Sequence, residues 1–355
     1  MGFRDDLDEV VHRTKTFHRS SRMGTALIEV CSIGDCERRI PAQDLTRWSF
    51  PSGMKDYLDA LYRRQEAVWR LRRTLHDDRI PSVAPWYGIA EHSAYVGGEV
   101  SFTPNTSYHH PFLKDWDDLP KLRLDADNPW RRMLDDGFAF LSDLAAGECA
   151  VSMRGSYSPL EVANAIRGND LFTDFYEFPG EVLGLMEFSC RAVAWNIECQ
   201  KRAVGPYEGG VLSGFKSWIP GDSFGQISED TTVLTGPVLY GEFGLPYTKR
   251  AVAGQERLFV HTHGVGEASL ESILRMGNVY MLEISSDPNS DRGIEVFKRL
   301  DPDPGIVGVL ALTLREIEEN LGFLKTRKTV IWYDAADLEE AARAVALVRR
   351  ELPAG

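Results

Sequence analysis

The chain predicts an α/β fold, a (β/α)8 TIM-type barrel with an N-terminal helical cap. Three observations lead there. From Leu258 to Leu352, strand-like apolar runs alternate four times with helix-like runs, the pattern of a parallel sheet with right-handed crossovers. Earlier strand-like runs bring the count towards eight. No GxGxxG follows a strand and no GxxxxGK[ST] occurs, which weighs against dinucleotide- and nucleotide-binding sheets. A doubly wound open sheet is the second choice.

The elements follow in order. Residues 1–79 are charge-rich, and Met54 to His76 places Tyr57, Leu58, Leu61, Tyr62, Val68 and Leu71 on one stripe. This segment is read as the helical cap, and residues 80–355 as the barrel. Ile80–Gly88 reads as a first strand and turn, and 101–130 as a long loop region rich in Pro, Asn, Asp and Trp. Helices are expected over Trp130–Ala146, from Pro159, over Val182–Lys201 and over Gly236–Val252. Strands are expected over Ala150–Gly155 and Gly210–Trp218, the latter followed by a Gly/Asp/Ser loop to Asp230. The regular part pairs strand 258–263 with helix 268–276, then 279–285 with 292–300, 306–313 with 315–324, and 329–333 with 336–352.

Composition narrows the function classes. With 355 residues and 43% hydrophobic content, the chain can bury a large core. A net charge of -13 argues against nucleic acid and against an anionic membrane as partners. No run of about 18 apolar residues is present, and the charged N-terminus lacks a signal-peptide core. The five cysteines are odd in number and form no CxxC, which reads as a reducing, cytoplasmic setting without a disulfide framework.

The densest chemical signal is Val260-His261-Thr262-His263-Gly264-Val265-Gly266. Two histidines at i and i+2 on a strand project to the same side. At the C-terminal end of a barrel strand they enter the active-site mouth, suited to a shared metal or a proton-transfer pair. A metal needs a third ligand, and Glu283, flanked by apolar residues on the next strand, is the candidate. Its competing role is a structural ion pair. Asp230, in a Ser-Glu-Asp-Thr run, is either a site carboxylate or part of a helix N-cap. Arg154 ends a strand and offers a fork for an acidic substrate, or a salt bridge to a neighbouring acid. Trp86, Tyr87, Tyr95, Trp218 and Trp332 lie near strand ends, where they line a ligand site or pack the barrel top. His92 is a further mouth candidate, whereas His109 and His110 read as loop residues. Lys216, within a strand, is a potential Schiff-base amine if buried.

Four segments resemble the uroporphyrinogen decarboxylase-like superfamily, which includes porphyrin decarboxylases and corrinoid- or thiol-directed methyltransferases. They are Asp78-Arg79-Ile80-Pro81 with Gly97-Gly98-Glu99-Val100; Gly155-Ser156-Tyr157-Ser158-Pro159-Leu160 with Ile166-Arg167-Gly168 and Asp174; Ile227-Ser228-Glu229-Asp230 with Phe243-Gly244-Leu245-Pro246-Tyr247; and His261-Thr262-His263-Gly264, where relatives carry His-x-Asp-Gly or His-x-Cys-Gly. The likeness runs from about residue 54 to the C-terminus. No arginine-rich motif like that of the porphyrin decarboxylases stands in residues 1–60, and Pro85-Trp86-Tyr87-Gly88 lacks their acid. Uroporphyrinogen itself is therefore not the expected substrate. No cysteine follows Cys199, which excludes the thiolate-rich zinc site of the methyltransferases and leaves a His/His/carboxylate site.

The resemblance implies a lyase, decarboxylase-like, acting on a small acidic substrate held by Arg154. His261, His263, Glu283 and Asp230 are its catalytic groups, and zinc or another divalent metal is the candidate cofactor, with no cofactor certain from the sequence. The alternatives are a metal-dependent methyltransferase with a corrinoid protein partner, and a barrel that only binds a small molecule. The family also implies a homodimer.

Overall fold

The computed structural model describes residues 3–354. Its centre is a seven-stranded parallel sheet. In chain order the strands are β1 (Thr25–Ile33), β2 (Ser156–Tyr157), β3 (Phe224–Ser228), β4 (Arg257–His263), β5 (Val279–Ser285), β6 (Val307–Ala311) and β7 (Lys328–Ala335). Their order across the sheet is β1-β7-β6-β5-β4-β3-β2. The second half of the chain folds as its alternation dictates, because each strand is followed by an amphipathic helix that packs back on the sheet. The helices after β4, β5 and β7 are Glu267–Leu274, Gly293–Leu300 and Leu338–Glu351.

Side-chain parity divides the sheet into two faces. Val260, Leu282, Leu310 and Ile331 join the large core beneath the helices. On the other face Leu27, Phe259, Met281, Val309 and Val330 form a separate buried cluster. Two residues further along their strands, this second face carries Glu29, His261, Glu283 and Trp332. Along this face the apolar cluster thus gives way to a polar group of side chains towards the strand ends.

The sheet does not form a closed eight-strand ladder, because β1 and β2 are unpaired with each other. The segment Asp77–Val83 lies along β1 instead. Asp78 N donates to the Ile28 carbonyl (2.7 Å). Asp78 Oδ2 accepts from Ile28 N and Asp77 Oδ2 from Val30 N, each at 2.9 Å. Carboxylates here take the place of ladder carbonyls. Arg13 neutralises Asp78 at 2.6 Å, and Arg72 neutralises Asp77 at 2.8 Å. The same segment continues into a two-residue parallel pair, Ser82–Val83 with Ala150–Val151.

Several expectations are corrected. Residues 1–79 are not helical throughout. Helices Leu7–Arg19 and Met54–Leu71 flank β1, which pairs with β7 as an integral sheet strand. Its run Ala-Leu-Ile-Glu-Val is strand-like, but charge-rich flanks obscured it. Within the strand and turn expected over 80–88, the strand is only Ser82–Val83, since Pro81 and Pro85 lack the amide a ladder needs. Gly210–Trp218 is not one strand. Gly210–Leu212 and Trp218–Pro220 form an antiparallel hairpin whose turn holds Lys216 at φ 71°. The loop expected before Asp230 contains β3, between β2 and β4. No helix among the described residues is long and apolar enough to cross a membrane, and all five cysteines are free thiols.

Glu29 is buried in the middle of β1 and accepts from Ser217 Oγ (2.8 Å) and Trp332 Nε1 (3.2 Å). Burial pushes its carboxyl up from the ordinary 4.5 to about 7, against the pull of Arg79. A raised folded-state value means that stability is fully present below about 4.5 and is lost as pH rises through about 7. Glu29→Gln keeps an acceptor oxygen without the charge. It should match wild type near pH 4.5 and exceed it at pH 8 by about 3 kcal/mol, as read by urea unfolding at the two pH values. An equal difference at both would show that Glu29 is not buried as an acid.

Candidate metal centre

The β4–β5 register sets His261 opposite Glu283 and His263 opposite Ser285. Glu283, buried and flanked by Leu282 and Ile284, directs one oxygen to His261 Nδ1 in a short hydrogen bond. Its other oxygen accepts from Ser285 Oγ at 3.0 Å. His263 Nδ1 meets Asp287 Oδ1 at 2.7 Å. Asp287 lies in the turn after β5, pinned by Ser290 Oγ, which accepts from its backbone N–H at 3.1 Å.

With both Nδ1 atoms committed to carboxylates, both Nε2 atoms face one oxygen. Asp230 Oδ1 lies 3.3 Å from His261 Nε2 and 3.5 Å from His263 Nε2. The strand β3 delivers this aspartate, with Glu229 N bonded to the His261 carbonyl at 2.8 Å. Glu161 braces the turn by accepting from the backbone N–H groups of Asp230 and Thr231. Glu229 braces it from below, taking Tyr240 and Thr248 hydroxyls at 2.9 and 2.8 Å.

Distances decide what this arrangement holds. A charge-assisted N–H···O bond spans about 2.7–2.9 Å, and both imidazole–Asp230 separations exceed it. Three donor atoms around a tetrahedral ion with bonds of about 2.0–2.1 Å stand about 3.3–3.4 Å apart. The two separations to Asp230 are close to that spacing, and one donor atom from each residue lies within 4.8 Å of the others. Asp230 Oδ1 is also buried without a hydrogen-bond partner, as a lone pair awaiting a cation would be. Carboxylates behind both histidines are the usual outer layer of a metal site, fixing tautomer and ring direction.

Electrostatics agree with the geometry. Burial pulls the His261 imidazole down, but Glu283, Asp230 and Asp287 together hold it above 6.5. Burial raises the Asp230 carboxyl above 3.8, opposed by the two imidazoles. The centre is a concentration of acidic groups that a cation would relieve.

The expected site residues separate under this geometry. His261, His263 and Asp230 converge. Glu283, expected as a third ligand, meets the Nδ1 side of His261, away from the point that both Nε2 atoms face, and Asp230 lies at that point. Asp287 was missed; as an acid in the turn after the neighbouring strand, it could have been found. Arg154 and Trp86 line a cavity of about 270 Å³, where buried Glu91 already pairs with the guanidinium, which stacks 4.5 Å over Trp86. Tyr87 is fully buried among Phe50 and Tyr57. Trp218 lies at the opposite end of the sheet, against His18 and bonded to the Tyr207 carbonyl. Trp332 borders the centre indirectly: Phe215 packs on both Trp332 and His261, at 5.4 and 4.9 Å between ring centres. His92 packs against Tyr157, and burial lowers its imidazole to about 3, so it stays neutral. Asp230 forms part of the wall of a cavity of about 220 Å³, together with Tyr157, Glu161, Asn164 and His109.

Fold and site together define a mixed α/β protein with a parallel sheet and a carboxylate-backed His/His/Asp cluster at the strand ends. No family model matches the chain, and no curated protein matches it.

Glu283→Gln should weaken zinc binding by about 10–100-fold, measured by competition with a chromophoric chelator. Unchanged affinity would remove Glu283 from the outer layer of the centre.

Proposed function

We propose that the chain is a divalent-metal-dependent enzyme on a uroporphyrinogen decarboxylase-like (β/α)8 barrel, catalysing a lyase step of the decarboxylase kind on a small molecule. The observation that carries the metal is the convergence of two carboxylate-anchored imidazoles on one unpartnered Asp230 oxygen. The barrel reading draws on the contacts of Asp77–Val83 with β1 and on Ser152 N bonding the Val83 carbonyl at 2.8 Å. The decarboxylase class rests on the four resembling segments.

Asp230, His261 and His263 would hold the metal, and zinc suits one carboxylate and two imidazoles. A bound cation supplies Lewis-acid polarisation of a substrate oxygen, which stabilises charge left on carbon when a C–C bond breaks. Glu283 and Asp287 keep the two imidazoles with Nε2 facing inward. Glu161 and Glu229 hold the Asp230 turn rigid. Phe215, Phe259 and Trp332 exclude water from one side of His261. The cavity beside Asp230 gives a small molecule its approach. Methyl transfer, with its corrinoid partner, is the weaker reading, because thiol-activating sites use softer, thiolate-rich donor sets and no cysteine joins this centre.

Metal analysis after zinc loading and gel filtration is the test. Wild type should retain about one zinc per chain, and Asp230→Asn and His263→Ala should each lose it while far-UV circular dichroism is unchanged. Carbon dioxide release from a panel of small carboxylic acids should then fall by at least about 100-fold in either variant. Wild type that retains no more zinc than the two variants would overturn the metal centre.

A further inference from the structure

A second constellation lies on the other side of Phe215. The tight turn Ser213–Ser217 is closed by Ser213 N to the Ser217 carbonyl (2.9 Å) and Lys216 N to the Ser213 carbonyl (2.8 Å). It forces Lys216 into a left-handed backbone conformation, φ 71°, which residues other than glycine seldom adopt and which clusters at functional sites. Phe215 of this turn packs on His261, while the next residue, Lys216, lines two adjoining cavities of about 80 and 270 Å³. Both cavities also contain Arg64 and Gln65, and the smaller reaches Arg79 and Cys31.

The charge balance of these cavities is unfinished. Arg72 is paired with Asp77 and Arg154 with Glu91. Arg79 bonds only the Cys31 sulfur, at 2.9 Å, and Arg64 only the Pro41 carbonyl, at 3.2 Å. Among the described residues Lys216 Nζ has no hydrogen bond, and neither it nor Arg79 has a carboxylate oxygen within 4.0 Å. Glu29, on the neighbouring strand, is turned to Ser217 and Trp332. All three side chains are half-buried, and three cations around one space without a paired carboxylate form a receptor for an anion.

We propose that this double cavity binds the carboxylate or phosphate group of a small molecule between Lys216, Arg79 and Arg64. Because Phe215 and Lys216 are adjacent, the bound group would sit one aromatic side chain away from His261. The inference rests on the proposed metal centre only in taking that anion as the acidic end of its substrate. It moves the acid anchor from Arg154, already neutralised, to cations that lack a partner.

The amine itself provides a readout. Burial, and then the charges of Arg79, Arg154 and Arg72, lower Lys216 to about 7, with Cys31 acting in the opposite direction. Glu37 also borders the smaller cavity, and Glu91 faces Arg154. Arg79 and Arg64 stay charged throughout, whereas the amine attracts the anion only when protonated, so binding is strongest below about pH 7 and weakens as pH rises through it.

Sulfate and malonate are titrated calorimetrically into chelator-treated protein, at ionic strength held constant with chloride. Saturable binding is expected, weakening about tenfold from pH 6 to pH 8 as the protonated fraction falls. Lys216→Met and Arg79→Met should lose at least tenfold, with zinc affinity and circular dichroism unchanged. Lys216→Arg should keep the binding and lose the pH dependence. Preference for sulfate points to a phosphate-like group, and preference for malonate to a carboxylate. Sulfate and malonate behaving as chloride, or Lys216→Met binding as wild type, would overturn the proposal. Zinc uptake without anion binding defeats this inference alone, and anion binding without zinc uptake defeats the metal centre alone.

Discussion

The pairing of β4 with β5 is the constraint on which the candidate centre depends. It places a buried carboxylate directly across from His261, and a one-residue slip would turn every side chain of one strand to the opposite face. The register is enforced from the other side of the sheet. Val260, Leu282 and Ile284 alternate with the polar residues and are fully enclosed under the helices. Slippage would expose Leu282 and bury Glu283 in that apolar core, so hydrophobic burial fixes polar geometry. The same coupling holds His261 in one tautomer. Glu283 cannot leave, because its second oxygen is engaged by Ser285.

Charge is handled differently in each part of the interior. Asp77 and Asp78 are paired with arginines and accept backbone amides, so they act as structural substitutes for ladder carbonyls. Glu91 and Arg154 neutralise each other. Glu29 is held by neutral donors and shifts towards its protonated form. Two places carry several like charges together: the Asp230 cluster, with acids in excess, and the Lys216 cavity, with cations in excess. Phe215, which packs on His261, is the chain neighbour of Lys216. An excess of each sign at neighbouring places suits a molecule with an oxygen for a cation at one end and an anionic group at the other.

Much of this was readable from the chain, for identifiable reasons. The region from Leu258 onward repeats a strand–helix unit with clear periodicity, and β5 falls on the residues its pattern indicates. His261 and His263 were legible because strand parity alone puts them on one side. What was not legible depended on partners distant in sequence. β1 was hidden because its role is set by pairing with β7, some 300 residues away. β3, Phe-Gly-Gln-Ile-Ser, contains glycine and polar residues, so its strand character comes from two flanking neighbours rather than from propensity. Glu283 and Asp230 were both identified, but periodicity cannot say which nitrogen of an imidazole a carboxylate will meet. Arg154 showed the same limit, since Glu91 lies in a short helix 63 residues earlier.

The division of each strand explains how such a charged interior is tolerated. Towards the strand starts, Leu27, Phe259, Met281 and Val330 pack into one buried apolar cluster. That cluster is continuous through Phe215 and Trp332 with the wall beside His261. Apolar burial there, at about 25 cal/mol per Å², offsets the cost of holding Glu29, Asp230 and Lys216 in unfavourable ionisation states a few residues away. Stability and chemistry thus occupy successive layers of the same strands. A substitution among the first set should act on folding, whereas one among the second can alter binding while leaving the fold in place.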